Sequence, residues 1–407
     1  MSSTLRPRLR HVRRALGCAL ALLLVGCGVP AVSAPDATRS APATFPRTTT
    51  DPTTATAATT APATGNGRLQ IGLSYGDSLT QLSDAQLDSE FDDAVTLGAN
   101  WVRIDVLWAD VQPDDPSTFQ WADIDRTVQA ARSRGLTVLP ILNSTPAWAR
   151  QAGCTTEFCG PADPSQFAAF AAAAARRYAP QGVHTWEIWN EPNIVNFWQP
   201  TADPAAYVAL LRATTPAIRA ADPTATLISG GLAPAPSSGG SIGQLAYLAA
   251  FARLGGLALV DAVGYHPFSF PVPPEYNSSW NAWNQITGTA TSFRSILAAN
   301  GAAGKKLWLT EYGAPTNGPG AVATTDDYNI THQADHVDEA YQAALATDAV
   351  AAARRAPGVA ALFWYSDRDE GTSRVTAENF FGLRRYDGTA KPAFAALKAA
   401  IAAASRS

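Results

Sequence analysis

The sequence predicts an α/β protein that folds as a (β/α)8 TIM barrel, with a single globular domain over residues 67–407. Eight short β-rich runs alternate there with Ala-rich, amphipathic or polar stretches, which is the expected layout of such a barrel. A doubly wound open sheet is the alternative, but no G-x-G-x-x-G follows the first run to support a nucleotide site. The chain has 407 residues, 46% of them hydrophobic, so it can bury a large core, and its formal charge of -4 gives no basic excess for a nucleic-acid partner.

The predicted strands place the candidate functional residues. In chain order they are LQIGLSYG, WVRIDVLW, LTVLPILN, VHTWEIWN, TLISGG, LVDAVGYHPF, KLWLTEYG and VAALFWYS. The lower interior of a TIM barrel is filled by packed side chains, and functional side chains project from the C-terminal ends of the strands. Polar residues at the ends of these runs are therefore the candidates.

Residues 1–26 predict a signal peptide. Several arginines precede the apolar run LGCALALLLVG, which is too short for a comfortable membrane span. The stretch LVGC at 24–27 resembles a bacterial lipobox, which implies that Cys27 is lipidated and tethers the protein to the outer face of the cell membrane. An ordinary cleaved signal, which would give a secreted protein, is the alternative.

Residues 27–66 predict a disordered linker between that signal and the globular domain. The segment consists largely of Ala, Pro, Thr and Ser and has few large apolar side chains. Such a composition cannot bury enough surface to offset the entropy of ordering the chain. The globular domain is therefore expected to stand at some distance from the membrane.

Two cysteines lie close together in the predicted globular domain, in the stretch CTTEFC. In an exported protein, Cys154 and Cys159 are expected to form a small disulfide that pins a loop. A metal site is the alternative, but two thiols with no nearby histidine make a poor one.

Two glutamates fall at the ends of different predicted strands. The stretch WEIWNEPN ends the fourth strand with Asn190 and Glu191, and LWLTEYG brings the seventh strand to Glu311. Hydrolysis of a glycosidic bond needs one carboxylic acid to protonate the leaving oxygen and one carboxylate to attack the anomeric carbon. Burial would raise the pKa of Glu191 and so keep it protonated, which explains a glutamate where burial penalises charge.

The chain resembles clan A of the glycoside hydrolases in two motifs: N-E-P after strand four and a glutamate at the end of strand seven. The phrases WEIWNEPN, NSTPAW and LWLTEYG look closest to family 39 and neighbouring xylosidase or endoglycosidase groups. The resemblance implies Glu191 as acid/base, Glu311 as nucleophile and Asn190 as a hydrogen-bond donor to the sugar 2-hydroxyl. It also implies retention of configuration, with carboxyl groups about 5–5.5 Å apart.

Four polar residues in the strands or at their ends are further candidates for substrate binding or support. Arg103 in the second strand resembles the clan's arginine that keeps the nucleophile ionised, and a purely structural ion pair is the alternative. Tyr265 and His266, at the end of the sixth strand, are expected to border the sugar subsite, although either could be a satisfied core residue. Glu187 lies deeper in the fourth strand and is interpreted as a buried, hydrogen-bonded support.

Three tryptophans are candidates for contacts with sugar rings. Trp364 closes the eighth strand, where the clan presents an aromatic platform, and barrel packing alone would favour Val, Ile or Leu there. Trp148 and Trp198 follow the third and fourth strands and could line further subsites or simply pack.

No metal and no cofactor are expected. His332 and His336 lie four apart in HQADH, as in a zinc protease helix, but Gln333 stands where that helix has its catalytic glutamate, and no third ligand follows at a recognised spacing.

The predicted function is therefore a retaining glycosidase that cleaves β-linked glycans. Its expected partner is an oligo- or polysaccharide, it contacts a membrane only through the lipid anchor, and it is a monomer. Little chain follows the last strand beyond one helix, so the sequence has no room for the accessory β-sandwich that some family 39 members carry. Its absence favours endo-action in an open groove. A non-catalytic sugar-binding lipoprotein on the same barrel is the alternative, and the sugar and its linkage depend on loop shapes.

Overall fold

The computed structural model describes residues 68–406, and this part of the chain forms the predicted (β/α)8 barrel. The predicted signal peptide, the linker and Cys27 lie outside the described residues. The barrel strands are β1 (Gln70–Ser74), β2 (Trp101–Leu107), β3 (Thr137–Asn143), β4 (Thr185–Ile188), β5 (Thr226–Leu232), β6 (Ala262–Tyr265), β7 (Lys306–Tyr312) and β10 (Val359–Tyr365). They pair in parallel in chain order, and β10 closes the barrel by pairing with both β7 and β1.

The α-helices connect successive strands and cover the outside of the barrel. They are α1 (Asp84–Leu97), α2 (Trp108–Val111), α3 (Ala122–Ser133), α4 (Pro164–Tyr178), α5 (Pro204–Ala221), α6 (Gln244–Arg253), α7 (Asn284–Thr287), α8 (Phe293–Ala299), α9 (Glu339–Arg355) and α10 (Pro392–Ser405). Among residues 68–406, no helix is long and apolar enough to cross a membrane.

Two helices begin with the same local signal, an Asp-Pro pair. The Asp163 carboxylate accepts a hydrogen bond from the Ser165 amide at the start of α4, and Asp203 caps α5 in the same way. Proline suits the first helical position because an N–H there would have no hydrogen-bond partner within the helix. The aspartate before it accepts a hydrogen bond from one of the next free backbone amides. These caps fix where the long loops after β3 and β4 end.

The bottom of the barrel interior is a packed apolar layer. Its members come from alternate positions of the strands and are Leu139, Ile228, Ala262, Trp308, Ala361 and Phe363. A larger apolar cluster lies between the strands and the helices. Polar side chains can therefore converge only above this layer, at the carboxyl ends of the strands.

The loop after β7 carries a small sheet of two parallel strands, β8 (Val322–Ala323) and β9 (His336–Val337). His336 lies in β9 and its Nδ1 is 2.6 Å from Asp335 Oδ1, whereas His332 is exposed and bonds to Asn329. The two histidines therefore do not share a helix face, because the next helix, α9, begins only at Glu339.

Candidate active site

The backbone at the end of β4 is forced into an unusual conformation around Glu191. Trp189 has φ 71° and Glu191 has φ 41°. Both therefore adopt a left-handed backbone conformation, which residues other than glycine rarely take. The Trp189 amide donates to the Leu142 carbonyl at 2.8 Å, and the Glu191 amide donates to the Gly231 carbonyl at 3.1 Å. The neighbouring strands thus hold a local geometry that costs about 1–3 kcal/mol per residue, a cost found most often at functional sites.

Arg103 organises the floor of the site from β2. Its Nε donates to Glu187 Oε2 at 2.6 Å and its Nη1 donates to Glu311 Oε1 at 2.5 Å. Nη2 donates to Asn190 Oδ1 at 3.0 Å, and Nη1 also reaches the Ser74 hydroxyl at 3.1 Å. Arg103, Glu187, Asn190 and Glu311 are all buried, so this ion network is shielded from water.

The charge balance of that floor depends on Arg103. Burial alone would lower the pKa of Arg103, but the Glu187 and Glu311 carboxylates raise it above its ordinary value, so the guanidinium is permanently charged. Burial, with added repulsion from Glu187, raises the pKa of Glu311, and the charge and hydrogen bond of Arg103 reduce that rise without cancelling it. The guanidinium therefore stabilises the ionised form of a carboxylate that burial would otherwise neutralise.

His266 connects the two strand-end glutamates. Its Nδ1 lies 2.8 Å from Glu191 Oε1 and 3.8 Å from Glu311 Oε2, and its Nε2 lies 3.0 Å from the Thr310 hydroxyl. Burial, followed by the positive charge of Arg103, holds the pKa of His266 well below its usual value, so the ring is neutral.

The proton positions in this chain follow from Thr310. Its hydroxyl has one proton, which it donates to Glu187 Oε1 at 3.0 Å, an oxygen that also accepts from the Gly231 amide at 2.9 Å. The Thr310 oxygen must then accept a hydrogen bond from His266 Nε2, which fixes the proton on that nitrogen. Nδ1 is left as an acceptor, so the 2.8 Å contact requires Glu191 to carry a proton and donate it.

Gly231 makes room for this chain. A Cβ atom on Gly231 would lie 2.1 Å from His266 Nε2 and 2.8 Å from the Thr310 hydroxyl, distances that no side chain can accommodate. A glycine is required here because the imidazole passes directly over the backbone of β5.

The two glutamates lie close enough for a shared reaction. One oxygen of Glu191, one oxygen of Glu311 and a ring nitrogen of His266 all lie within 4.8 Å of one another. Within residues 68–406 this is the one group of three side chains that could hold a metal ion. The hydrogen bond between Glu191 and His266 already occupies the ring nitrogen Nδ1, so the group is suited to holding protons.

A cavity of about 850 Å³, counting the space at its mouth, opens above these residues. Glu311 and Asn190 form part of its wall. The other lining residues are Gly76, Asp77, Asp105, Leu107, Asn143, Glu157, Phe158, Phe197, Phe268, Phe270, Tyr365, Glu370, Glu378 and Phe381.

The structure corrects the interpretation of Trp364 as the aromatic platform. Ala361 and Phe363 point into the barrel, so Trp364 points outward, where it is buried with its ring 5.8 Å from that of Tyr312. Tyr365, the next residue, lines the cavity instead. The alternation of side chains along β10 determines which of the two aromatic rings can meet a ligand.

The same alternation corrects the prediction for Tyr265. Its hydroxyl donates to the Ala282 carbonyl at 3.0 Å and its ring packs 4.1 Å from that of Phe293, in the layer outside the barrel. His266 follows it and points inward to the glutamates. Tyr265 is therefore a core residue, which was the alternative for this position.

Trp148 and Trp198 also pack away from the cavity. Trp148 donates from Nε1 to the Gln112 carbonyl at 2.8 Å and packs edge-on against Trp108. Trp198 is buried between Trp189 and Tyr207, with ring centroids 5.0 and 5.8 Å away. The aromatic wall is formed instead by phenylalanines that the sequence did not single out, among them Phe158 and Phe197.

The predicted disulfide between Cys154 and Cys159 is present, and it closes the loop that carries Glu157 and Phe158. The Thr145 amide donates to the Glu157 carbonyl at 2.8 Å, which ties this loop to the end of β3. The disulfide therefore holds one wall of the cavity in place.

Sequence reasoning missed the acidic residues of the loop after β10. Glu370 and Glu378 both line the cavity, and both lie in the loop beyond Tyr365, where β10 ends. The acidic composition of SDRDEGTSRVTAEN was visible, but its path over the barrel depends on contacts such as that of Gly382 with Asp369, where the amide donates to Oδ1 at 2.9 Å.

Several solved structures resemble this fold. A family 39 glycoside hydrolase from Bacteroides cellulosilyticus WH2 has a TM-score of 0.63 at 23% identity, and the match covers 82% of this chain and 64% of that one. A monomeric beta-xylosidase from Caulobacter crescentus CB15 has a TM-score of 0.58 at 20% identity, covering 82% and 68%. A family 5 subfamily 18 enzyme from Streptomyces cattleya in complex with GlcNAc has a TM-score of 0.57 at 19% identity, covering 83% and 80%. The chain spans less than two thirds of the length of the Bacteroides protein.

A family model matches most of the barrel. No curated protein sequence is significantly similar to this chain. The model for cellulase (glycosyl hydrolase family 5) matches residues 70–346, a span that contains Arg103, Glu191, His266 and Glu311. The predicted resemblance to clan A is confirmed, and the family whose model matches is family 5, although family 39 structures are among those with similar folds. The chain therefore belongs to the cellulase family, glycosyl hydrolase family 5.

Proposed function

We propose that this protein cleaves β-linked glycans with retention of configuration, using Glu191 as acid/base and Glu311 as nucleophile. The observation that carries the proposal is the asymmetry between the two glutamates. Glu311 receives a charge-assisted bond from Arg103 at 2.5 Å, whereas Glu191 faces a neutral histidine nitrogen at 2.8 Å. One carboxylate is thus stabilised as an anion and the other as an acid, which is the division of roles that glycoside hydrolysis requires.

The close approach of the two carboxyl groups supports retention. Oxygens of Glu191 and Glu311 lie within 4.8 Å of each other. Retaining glycosidases have carboxyl groups about 5–5.5 Å apart, while inverting enzymes need about 6.5–9.5 Å to admit a water molecule between them. The spacing here leaves room for direct attack on the sugar.

The reaction would proceed in two displacements. Glu191 donates its proton to the glycosidic oxygen while Glu311 attacks the anomeric carbon, so the leaving sugar departs and a glycosyl ester forms on Glu311. Glu191, now a carboxylate, takes a proton from water, which attacks the same carbon and releases Glu311. The network of His266, Thr310 and Glu187 stabilises the protonated form of Glu191 that this second step restores, because Nδ1 accepts a hydrogen bond only from a protonated carboxyl.

Asn190 is placed to bind the sugar beside the nucleophile. Its Oδ1 accepts from Arg103 at 3.0 Å, so the amide nitrogen is the group left to donate a hydrogen bond. Asn190 lines the cavity next to Glu311, which fits donation to the 2-hydroxyl of a sugar at the reaction centre. Such a bond strengthens in the transition state.

Endo-action on a polysaccharide is part of the proposal. The cavity is open to solvent and bounded by several loops, which fits a chain that continues beyond the cleaved bond. Endo-action predicts that the first products from a long polymer are oligosaccharides of mixed length. Release of monosaccharide alone would instead indicate an exo-acting enzyme.

The experiment that tests the proposed roles compares the wild-type protein with Glu311→Gln. Both are assayed for reducing ends released from a panel of β-linked polysaccharides and aryl glycosides. We expect activity in the wild type and a loss of about 10,000-fold or more in the variant, because the covalent step disappears. A folded wild type that binds glycans but cleaves none of them would support the non-catalytic sugar-binding alternative.

We also propose that the protein is exported and anchored by a lipid on Cys27. The disulfide between Cys154 and Cys159 supports an oxidising compartment, where such bonds persist. The stretch LVGC at 24–27 supports lipidation. Fractionation of cells that express the wild type or Cys27→Ala tests this proposal, since the variant should leave the detergent-soluble membrane fraction.

A further inference from the structure

We propose that the glycan bound in this cavity carries free ammonium groups, as in a polymer of amino sugars whose nitrogens are not acetylated. The inference rests on the proposed function, because it names the substrate class of the same site. Two features of the cavity carry it: a wall rich in carboxylates without cationic side chains, and aromatic rings interspersed among those carboxylates.

The carboxylates surround the cavity. Six of the lining residues are acidic, namely Asp77, Asp105, Glu157, Glu311, Glu370 and Glu378, and no lysine, arginine or histidine is among the lining residues of this described region. A wall of one sign attracts a ligand of the opposite sign, because low-dielectric surroundings strengthen its field. Arg103 lies below the cavity and is already bonded to Glu187 and Glu311.

Two of these carboxylates receive neither a hydrogen bond nor an ion pair from any other residue of the described range 68–406. The side chains of Asp105 and Glu378 make no hydrogen bond and no ion pair in the described structure. Burial, with added repulsion from Glu370, Glu191 and Glu311, raises the pKa of Glu378 to about 8. Burial likewise raises the pKa of Asp105 to about 8, although Arg103 opposes the rise. Burial is the main cause of both rises, and a cation bound beside either carboxyl group would favour its ionised form.

The arrangement fits a distributed cation better than a metal ion. A divalent ion needs several ligand atoms that converge on one point. Within residues 68–406, the one converging group consists of Glu191, His266 and Glu311, and the acids of the cavity wall do not join it. Separate carboxylates match separate ammonium groups, such as those on successive sugars of a chain.

The aromatic residues of the wall identify the rest of the ligand as a sugar. Six rings line the cavity, those of Phe158, Phe197, Phe268, Phe270, Tyr365 and Phe381. Ring faces pack against the apolar C–H surface of a pyranose, and they also attract a nearby ammonium group. Together with the paired glutamates, this wall fits a pyranose whose substituent is a cation.

The test uses two substrates that differ only at nitrogen: chitosan oligosaccharides with free amines and chitin oligosaccharides of equal length with N-acetyl groups. The full-length wild-type protein should show a kcat/KM at least about tenfold higher for the free-amine substrate at low salt. That preference should shrink as salt is added, because screening weakens the long-range attraction that draws a cationic ligand towards the cavity.

A pair of matched variants connects the preference to the cavity. Glu378→Gln removes one unpaired carboxylate and should reduce the ratio of the two kcat/KM values by about tenfold, mainly through a higher KM for the free-amine substrate. Asp326→Asn removes an exposed carboxylate that does not line the cavity, and it should leave the ratio unchanged. A ratio that Glu378→Gln does not change would overturn the inference.

The outcomes separate this inference from the proposed function. If the wild type hydrolyses neutral or N-acetylated glycans equally well or better, the substrate class is wrong while the glycosidase roles stand. To test binding without turnover, calorimetry measures the affinity of Glu311→Gln for the two oligosaccharides. Preferred binding of the free-amine form supports the inference even if no glycan is cleaved, and equal or absent binding overturns it.

Discussion

The floor and the wall of the cavity differ in whether their carboxylates have partners within the described residues. On the floor, each carboxylate has a defined partner, as in the bonds of Arg103 to Glu187 and Glu311. On the wall, Asp105 and Glu378 make no hydrogen bond or ion pair with any of residues 68–406, and burial raises their pKa values to about 8. The difference indicates that the floor is organised before a ligand arrives, as chemistry requires, while the wall is completed by the ligand.

Removing the guanidinium of Arg103, the cation at the centre of the floor, should have the largest effect on activity. Arg103→Met leaves Glu187 and Glu311 buried without their charge partner, so Glu311 should become protonated and lose its nucleophilicity. We expect kcat to fall by about 100-fold to 1,000-fold. The control Arg126→Met breaks an exposed ion pair with Asp84 and should leave kcat unchanged. Steady-state kinetics on an aryl glycoside measures both, and equal behaviour of the two variants would contradict the central role of Arg103.

The proton network should give the next largest effect. Thr310→Val removes the hydroxyl that holds the proton on His266 Nε2, so the ring can move its proton to Nδ1 and Glu191 can ionise. We expect kcat to fall by up to about 100-fold for sugars with poor leaving groups, and much less for aryl groups that leave without an acid.

Thr310→Ser keeps the hydroxyl and is the matched control. It should restore most of the activity and the pH profile, whereas the alkaline limb of kcat/KM should move to lower pH in Thr310→Val. A loss that is equal for good and poor leaving groups would point to a packing defect at Thr310.

The acidic wall should make stability depend on pH. Folding raises the pKa of Glu378 from 4.5 to about 8, so the folded state binds more protons than the unfolded chain between those values. The contribution of Glu378 to the free energy of unfolding should therefore be most favourable below about pH 4.5 and decrease as pH rises to about 8. Two further groups contribute in the same direction: Asp105, whose pKa rises to about 8, and Glu370, whose pKa rises to about 7.

Urea denaturation of the wild type and Glu378→Gln at several pH values checks this expectation. The variant should lose less stability as pH rises, because glutamine cannot ionise. Identical pH profiles for the two proteins would mean that Glu378 is not electrostatically strained in the folded state.

The smallest effect is expected at the disulfide. Cys154→Ser combined with Cys159→Ser frees the loop that carries Glu157 and Phe158, one part of the cavity wall. Because the floor is untouched, KM should rise severalfold while kcat stays near that of the wild type. Kinetics of the oxidised wild type and the double variant measure this separation, and a fall in kcat alone would show that the wall and the floor are coupled.

The sequence predicted the floor more accurately than the wall, for a physical reason. Arg103, Glu191, His266 and Glu311 lie on or directly after regular strands, where position along the strand determines the location in the barrel. Asn190 was found in the same way.

Positions at the last residues of the strands were harder to predict. Trp364 and Tyr265 were assigned to the cavity, but the alternation of side chains turns both outward and gives the inner positions to Tyr365 and His266. Applying that alternation to β10, with Phe363 inside, would have identified Tyr365 from sequence. Trp148 and Trp198 lie in loops, whose paths depend on contacts distant in sequence.

The most direct test of the central claim is chemical rescue with azide, followed by the configuration of the product. In Glu311→Gly, azide should occupy the space of the missing nucleophile, attack an activated β-glycoside directly and yield the α-glycosyl azide. In Glu191→Ala, the glycosyl ester on Glu311 still forms, and azide should release it as the β-glycosyl azide. Opposite products from the two variants, read by NMR, are the predicted result. The reversed assignment, or no rescue in either variant of an active enzyme, would contradict the roles given to Glu191 and Glu311.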